Sequence, residues 1–260
     1  MEFFDTHAHY DDEQFNIDRK QVIDKIYKAG VTKCIDVGCD IETSKKAIDL
    51  ANSYDFIYAI CGIHPSMIAN SEKEILEDIE KIKKICLSNK KIVAIGEIGL
   101  DYHYEGINKG LQQFAFKEQI NLANELGLPI SIHTRDAIDD TIGILLQFKL
   151  KQGGVLHCCP FNRELVKHGL KNNFYIAFGG TVTFKNSKNA GEIVNMVPED
   201  RILIETDCPY LAPHPIRGTR NDSSNLSYVV QKIADFRKED PEKIAKMTYE
   251  NANRLFLNNL

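Results

Sequence analysis

What most constrains this chain is an order that repeats eight times: a short β-branched run, then a longer charged stretch with helical spacing. "MEFFDTH" leads to "EQFNIDRKQVIDKIYKAG", "VTKCIDVG" to "ETSKKAIDLANSY", "FIYAICGIHP" to "SEKEILEDIEKIKKIC" and "IVAIGEIGLD" to "GLQQFAFKEQINLANELG". The second half continues with "PISIHTRD", "GVLHCCP", "FYIAFGG" and "RILIETD", each followed by its own helical stretch. After the first run, Phe15, Val22, Ile26 and Ala29 recur at helical spacing and Gly30 supplies a stop. The runs are nearly all apolar in their first part, as strands are when both faces are covered. Strands alternating with helices make a parallel sheet, and eight repeats predict closure into a TIM-type (β/α)8 barrel of the α/β class. A doubly wound open sheet is the rival. A last amphipathic helix, from Pro241 to the end, is extra to the eight, and no linker or low-complexity segment divides residues 1–260, so one domain is expected.

Composition narrows the function classes. With 260 residues, 43% of them hydrophobic, the chain can bury a sizeable core. Its net charge is −5, from 37 acidic and 32 basic residues, so no overall positive field points to nucleic acid or membrane. A local patch or a metal could still receive an anionic substrate. Seven cysteines without a repeated spacing argue against a disulfide framework and for a reducing compartment. No basic segment leads into an apolar run at the start, and apolar runs such as "IYAICGI" are too short to cross a bilayer. A soluble, cytoplasmic protein is expected.

The chemistry collects at the strand ends. The first run ends in Asp5, His7 and His9, the third in His64, the fourth in Glu97, the fifth in His133, the sixth in His157 and the eighth in Asp207. In a barrel these positions share one rim, at the carboxyl ends of the strands. A single histidine at a strand end is more often a satisfied hydrogen-bonding group than a ligand; the coincidence of several is the signal. Four histidines and two carboxylates suit Zn, Mn, Fe or Ni. Six ligands exceed one open catalytic site but fit two ions sharing a carboxylate, about 3.5–4 Å apart. The period of a strand sets His7 and His9 on one face. His64 either contacts substrate or polarises the Pro65 turn. His103, His168 and His214 are expected to do nothing catalytic, and Cys158 and Cys159 to be small buried residues.

In order, "DTHAH", "GIHP", "GEIGLDYH", "IHTRDA", "LHCC", "IETDCPYLAP" and "RGTRND" resemble the TatD family of metal-dependent deoxyribonucleases, a branch of the amidohydrolase-type barrels. The resemblance runs the length of the chain. It implies that His7, His9 and Asp207 hold one divalent ion, that His133 and His157 hold a second, and that Glu97 bridges them. Zn, Mg or Mn would serve as the ions. His64 and Arg220, with Arg135 and Tyr210, resemble substrate-contacting positions. "HCCPFN" and "RNDSSN" depart from the family's usual wording, which has phenylalanine and a small pair after the His-Cys, and Glu-Pro after the Arg-Asn. The implied reaction is hydrolysis of DNA phosphodiesters, on single strands or ends. A metal-activated water would attack, Asp207 would act as ligand and base, Glu97 would take part as the shared ligand, and Arg220, Arg135 or Lys185 would neutralise phosphate. The chain would act as a monomer, without membrane or obligate protein partner. An amide or lactone hydrolase on the same barrel is the alternative. Asp5, deeper on the strand, is expected to orient a histidine rather than ligate.

Overall fold

The computed structural model describes residues 1–258. Eight strands are all parallel and pair in chain order: β1 Phe3–Ala8, β2 Val31–Val37, β3 Ile57–Cys61, β4 Ile92–Asp101, β5 Ile130–Arg135, β6 Gly154–Leu156, β7 Phe174–Phe178 and β8 Ile202–Ile204. The ring closes where Ala8 bridges Cys208 in parallel and the Asp207 amide donates to the His7 carbonyl at 2.9 Å. Helices follow each strand: α1 Arg19–Lys28, α2 Ile41–Ser53, α3 Glu72–Ser88, α4 Lys109–Leu126, α5 Ile138–Leu145, α6 Arg163–Lys171, α7 Ala190–Met196 and α8 Leu226–Arg237. The extra helix is α9, Pro241–Phe256. This is the expected TIM-type barrel. No helix among the described residues is long and apolar enough to cross a membrane.

The strands bury both faces. Outward residues such as Ile57, Ile132 and Ile176 pack under the helices in the larger apolar cluster. Inward residues, among them Phe4, Ile35, Ile60, Val155, Tyr175 and Leu203, fill the barrel and meet Ala252, Leu255 and Phe256 of α9. Phe4 lies 6.1 Å from the Tyr249 ring and 6.3 Å from Phe256. The added helix is therefore the floor of the barrel, which leaves the opposite, carboxyl-end face open for chemistry.

Helix starts follow local chemistry. Asp40 and Thr43 form a reciprocal capping box at α2, Ser71, Asn108 and Asn162 accept amide bonds at α3, α4 and α6, and Pro241 opens α9 behind the Asp240 cap. The first helix departs from expectation. Phe15 belongs to a separate 3-10 turn, Glu13–Phe15, and α1 begins only at Arg19. The Arg19 guanidinium donates to the carbonyls of Tyr10, Asp11 and Asp12 and to Asn16, pinning the chain ahead of α1 in a turn. Phe15 is still fully buried, which is why its spacing imitated a helix. Within β4 the register with β5 shifts between Ile95 and Ile98, an irregularity that re-aims the Glu97 side chain. Gly99, at φ +141, lets β5 approach so closely that an added Cβ would lie 2.0 Å from the His133 carbonyl oxygen.

Candidate metal centre

The open face holds a cavity of about 1260 Å³. His9, His64, Glu97, His133, His157 and Asp207 all line it. His7 lies just beneath, fully buried, its Nε2 3.2 Å from His9 Nε2, 3.4 Å from Glu97 Oε2 and 3.8 Å from Asp207 Oδ1. Asp207 Oδ1 is 3.3 Å from His9 Nε2 and 3.7 Å from His157 Nε2. Glu97 is central. Its Oε1 is 2.7 Å from His133 Nδ1 and 3.6 Å from His157 Nε2, while Oε2 faces His7. The structure thus brings together all six residues expected as ligands.

Neighbours fix which nitrogen each imidazole presents. His9 Nδ1 donates to the Val37 carbonyl at 2.8 Å, and His157 Nδ1 donates to Glu205 Oε2 at 2.9 Å. Both rings therefore turn Nε2 into the centre, the nitrogen that ligates once an ion displaces its proton. His7 is held less firmly. Its Nε2 faces His9 Nε2, and its Nδ1 is buried with no hydrogen-bond partner. Several basic atoms crowded at 3–4 Å, in a buried place, repel one another unless a cation sits among them. Ligand atoms of His7, His9 and Asp207 lie within 4.8 Å of one another, and so do those of Glu97, His133 and His157. This donor set fits divalent ions that accept nitrogen and oxygen.

The electrostatics agree. Burial works against charge on Glu97, yet the surrounding His157, His64 and His7 hold its carboxyl well below the usual range. Burial also opposes the charge on Asp207, and the bond to His9 with the nearby His157 outweighs it. Burial favours neutral His133, but Asp101 and Glu97 push it up to about 9. Glu205 and Glu97 likewise overcome burial at His157 and push it up to about 9. His64 lacks such close partners, so burial pulls it down to about 4.

Of five other expected residues, two line the cavity and three do not. Arg135 lines the cavity, its guanidinium 5.6 Å from the Tyr104 ring centre. Tyr210 also lines it, 6.4 Å from the His9 ring, and donates its hydroxyl proton to Asp12. Arg220 is not among the lining residues. It pairs with Asp18 at 2.5 Å, donates to the Gln14 carbonyl and lies over Phe15, bracing the turn before α1. Lys185 is not a lining residue either. Asp5 orients no imidazole; it accepts from the His7 amide and from the amide and hydroxyl of Thr206, tying β1 to the segment that carries Asp207. Burial pushes Asp5 up to about 7.

Two functional neighbours escaped sequence reasoning. Glu205 orients His157 and also accepts from the Cys158 amide at 2.6 Å. Asp101, the last residue of β4, lies 3.3 Å from His133 Nε2. Their only sequence signals were carboxylates two residues before Asp207 and four after Glu97.

A parallel eight-stranded barrel with such a centre at its carboxyl-end face defines a metal-dependent hydrolase. The model of the family described as "TatD related DNase" matches residues 4–257, and the chain belongs to that family. It is 44% identical over 254 residues to the uncharacterized metal-dependent hydrolase YabD of Bacillus subtilis, covering 97% of this chain and 98% of that one. It is 32% identical to the 3'-5' ssDNA/RNA exonuclease TatD of Citrobacter rodentium, covering 97% of each. The solved structure of YJJV, a TatD homologue from Escherichia coli, superposes with a TM-score of 0.91 at 28% identity, covering 99% of this chain and 98% of that one.

Proposed function

We propose that this protein hydrolyses phosphodiester bonds of DNA, acting on single strands or ends, with two divalent ions in the centre. The observation that carries the reading is Glu97, whose two carboxylate oxygens face opposite halves of one histidine cluster, as a ligand shared between two ions must. Membership of the family and the likeness to a relative named as a single-strand exonuclease support the substrate.

The ions, when bound, would lower the pKa of a water to near neutrality and offset charge on the phosphate oxygens. The chain's residues do the rest. His7, His9 and Asp207 hold one side, His133 and His157 the other, and Glu97 joins them. Asp207 turns Oδ1 to three imidazoles, which leaves its second oxygen to accept the proton of the attacking water. The Val37 carbonyl and Glu205 keep His9 and His157 in their ligating tautomers. Arg135, at the cavity wall, neutralises phosphate. The floor made by α9 excludes water from below, so substrate enters only from the open face.

Digestion of single-stranded and duplex DNA ends tests this, with Mg2+, Mn2+ and Zn2+ supplied in turn and cyclic amides and lactones as controls. Cleavage of DNA that stops with chelator and with His133→Ala is expected. Cleavage of a lactone or amide with DNA left intact would replace the proposal with the other hydrolase reading.

A further inference from the structure

The cavity wall between β4 and α5 carries positive charge that the metal centre does not use. Lys46, Lys109 and Arg135 line the cavity. Lys46 is paired with Glu42 at 2.8 Å, whereas among the described residues neither Lys109 nor Arg135 has a carboxylate partner. Each lies against an aromatic ring instead. Lys109 Nζ stands 4.4 Å from the centre of the Tyr102 ring, and the Arg135 guanidinium 5.6 Å from that of Tyr104. Two acids on the same wall are already occupied. Asp136 bonds His103 at 2.9 Å, and Asp140 accepts from the Tyr102 hydroxyl at 2.8 Å and the Gln113 amide at 2.9 Å.

Backbone pairing fixes where these groups stand relative to the centre. His133 and Arg135 are two residues apart on β5, so their side chains share one face, with Arg135 about 6.6 Å nearer the open end. Across the sheet Arg135 is in register with Asp101, and its carbonyl accepts from the Tyr102 amide at 2.9 Å. Tyr104 follows two residues later, in the loop between β4 and α4. Its ring has Arg135 against it and meets the His103 ring edge-on at 5.2 Å, yet Tyr104 is 59% exposed. The core gains little from a ring so open. Beside an unpaired guanidinium at the mouth of a cavity, it suits a ligand with a flat apolar part and an anionic part.

We propose that Tyr104 and Arg135 take the nucleotide next to the bond being cleaved: its base stacks on the open part of the Tyr104 ring and its phosphate pairs with Arg135. Lys109, on the same wall, draws the strand to this side of the mouth. The inference rests on the reading of the protein as a DNA phosphodiesterase, and it names the side chain that selects single strands. A base inside a duplex is stacked on both faces by its neighbours, whereas one in a single strand is free to take the ring. Every base has such a face, so stacking selects strandedness and not sequence. Tyr104 is a positioning residue, outward of the reacting atoms.

Steady-state cleavage of a single-stranded oligonucleotide by ion-loaded protein tests this. Tyr104→Ala is expected to raise KM about tenfold with kcat little changed, and Tyr104→Phe to keep the wild-type KM. An abasic residue scanned along the cleaved end assigns the contact to a base. At one position it should raise KM for the wild type by the same factor, and at that position it should leave KM for Tyr104→Ala unchanged. Equal KM for wild type and Tyr104→Ala on single strands would overturn the inference and leave the DNA-cleaving function standing. An abasic penalty as large in Tyr104→Ala as in the wild type would also overturn it. Wild-type protein that cleaves no DNA would overturn both the inference and the function it rests on.

Discussion

At the scale of single residues, the second nitrogens of His9 and His157 are held by neighbours outside the cluster. Val37 and Glu205 supply that control at His9 and His157. Because removal of such a partner typically weakens metal affinity by about 10–100-fold, Glu205→Gln should raise the dissociation constant for Zn2+ by that factor. Competition with a fluorescent chelator measures it. The ion-free protein also carries a pH signature. His133 and His157 are pushed up to about 9, against an ordinary value near 6.5. Both are protonated at pH 7, so ions must displace protons, and affinity should rise with pH up to about 9. Calorimetry in two buffers of different ionisation enthalpy should report proton release at pH 7. The same shift gives a stability window. A raised pKa stabilises the fold fully below 6.5, and the contribution fades as pH climbs through 9, so chelated protein should melt lower at pH 9.5 than at pH 6. The ligand histidines were legible because each follows an apolar run. Asp101 and Glu205 were not, since their importance lies in which imidazole nitrogen they face, and the pattern of a strand carries no such information.

At the scale of elements, two segments show where pattern and structure part. Helical spacing from Phe15 to Val22 promised one helix, yet Arg19 holds the carbonyls of Tyr10, Asp11 and Asp12 and Arg220 holds that of Gln14, which keeps the segment in a separate turn. Pairing between residues some 200 positions apart is invisible to local periodicity. The resemblance set Arg220 at the phosphate, whereas the structure has it clamped on Asp18. Arg220→Ala should therefore speed hydrogen exchange in residues 10–18 and leave the ion count unchanged. Helix α9 was legible as amphipathic from its Pro start, but its role was not. Its apolar face meets the barrel interior at Phe4 rather than the outer shell. Phe256 is 3% exposed, and its truncation to Ala should cost about 3–5 kcal/mol by lost burial and a cavity, measured by denaturant unfolding.

At the scale of the whole molecule, the barrel turns a sequence-long scatter of His, Glu and Asp into one cluster. The eightfold alternation made the fold legible, and strand ends made the centre's location legible; distances within it depended on the irregularity in β4 and the tight approach at Gly99. The mouth adds a constraint on substrate. Asp11, Asp12, Glu13, Asp136, Asp139 and Asp140 line the cavity with only Lys46, Lys109 and Arg135 of opposite charge. A long polyanion gains little there. With at most three such contacts, and a slope of roughly −0.7 per phosphate for single strands, binding should fall with salt no more steeply than about the second power. A filter-binding titration across salt concentrations reads the slope. The central claim is that water, activated in this centre, attacks phosphorus. Digestion of a single-stranded oligonucleotide in heavy-oxygen water, followed by mass spectrometry of the products, tests it most directly. The account predicts one heavy oxygen on the phosphate of each released nucleotide, and no product from Asp207→Asn or with chelator. An oligonucleotide left intact by ion-loaded wild-type protein would contradict it.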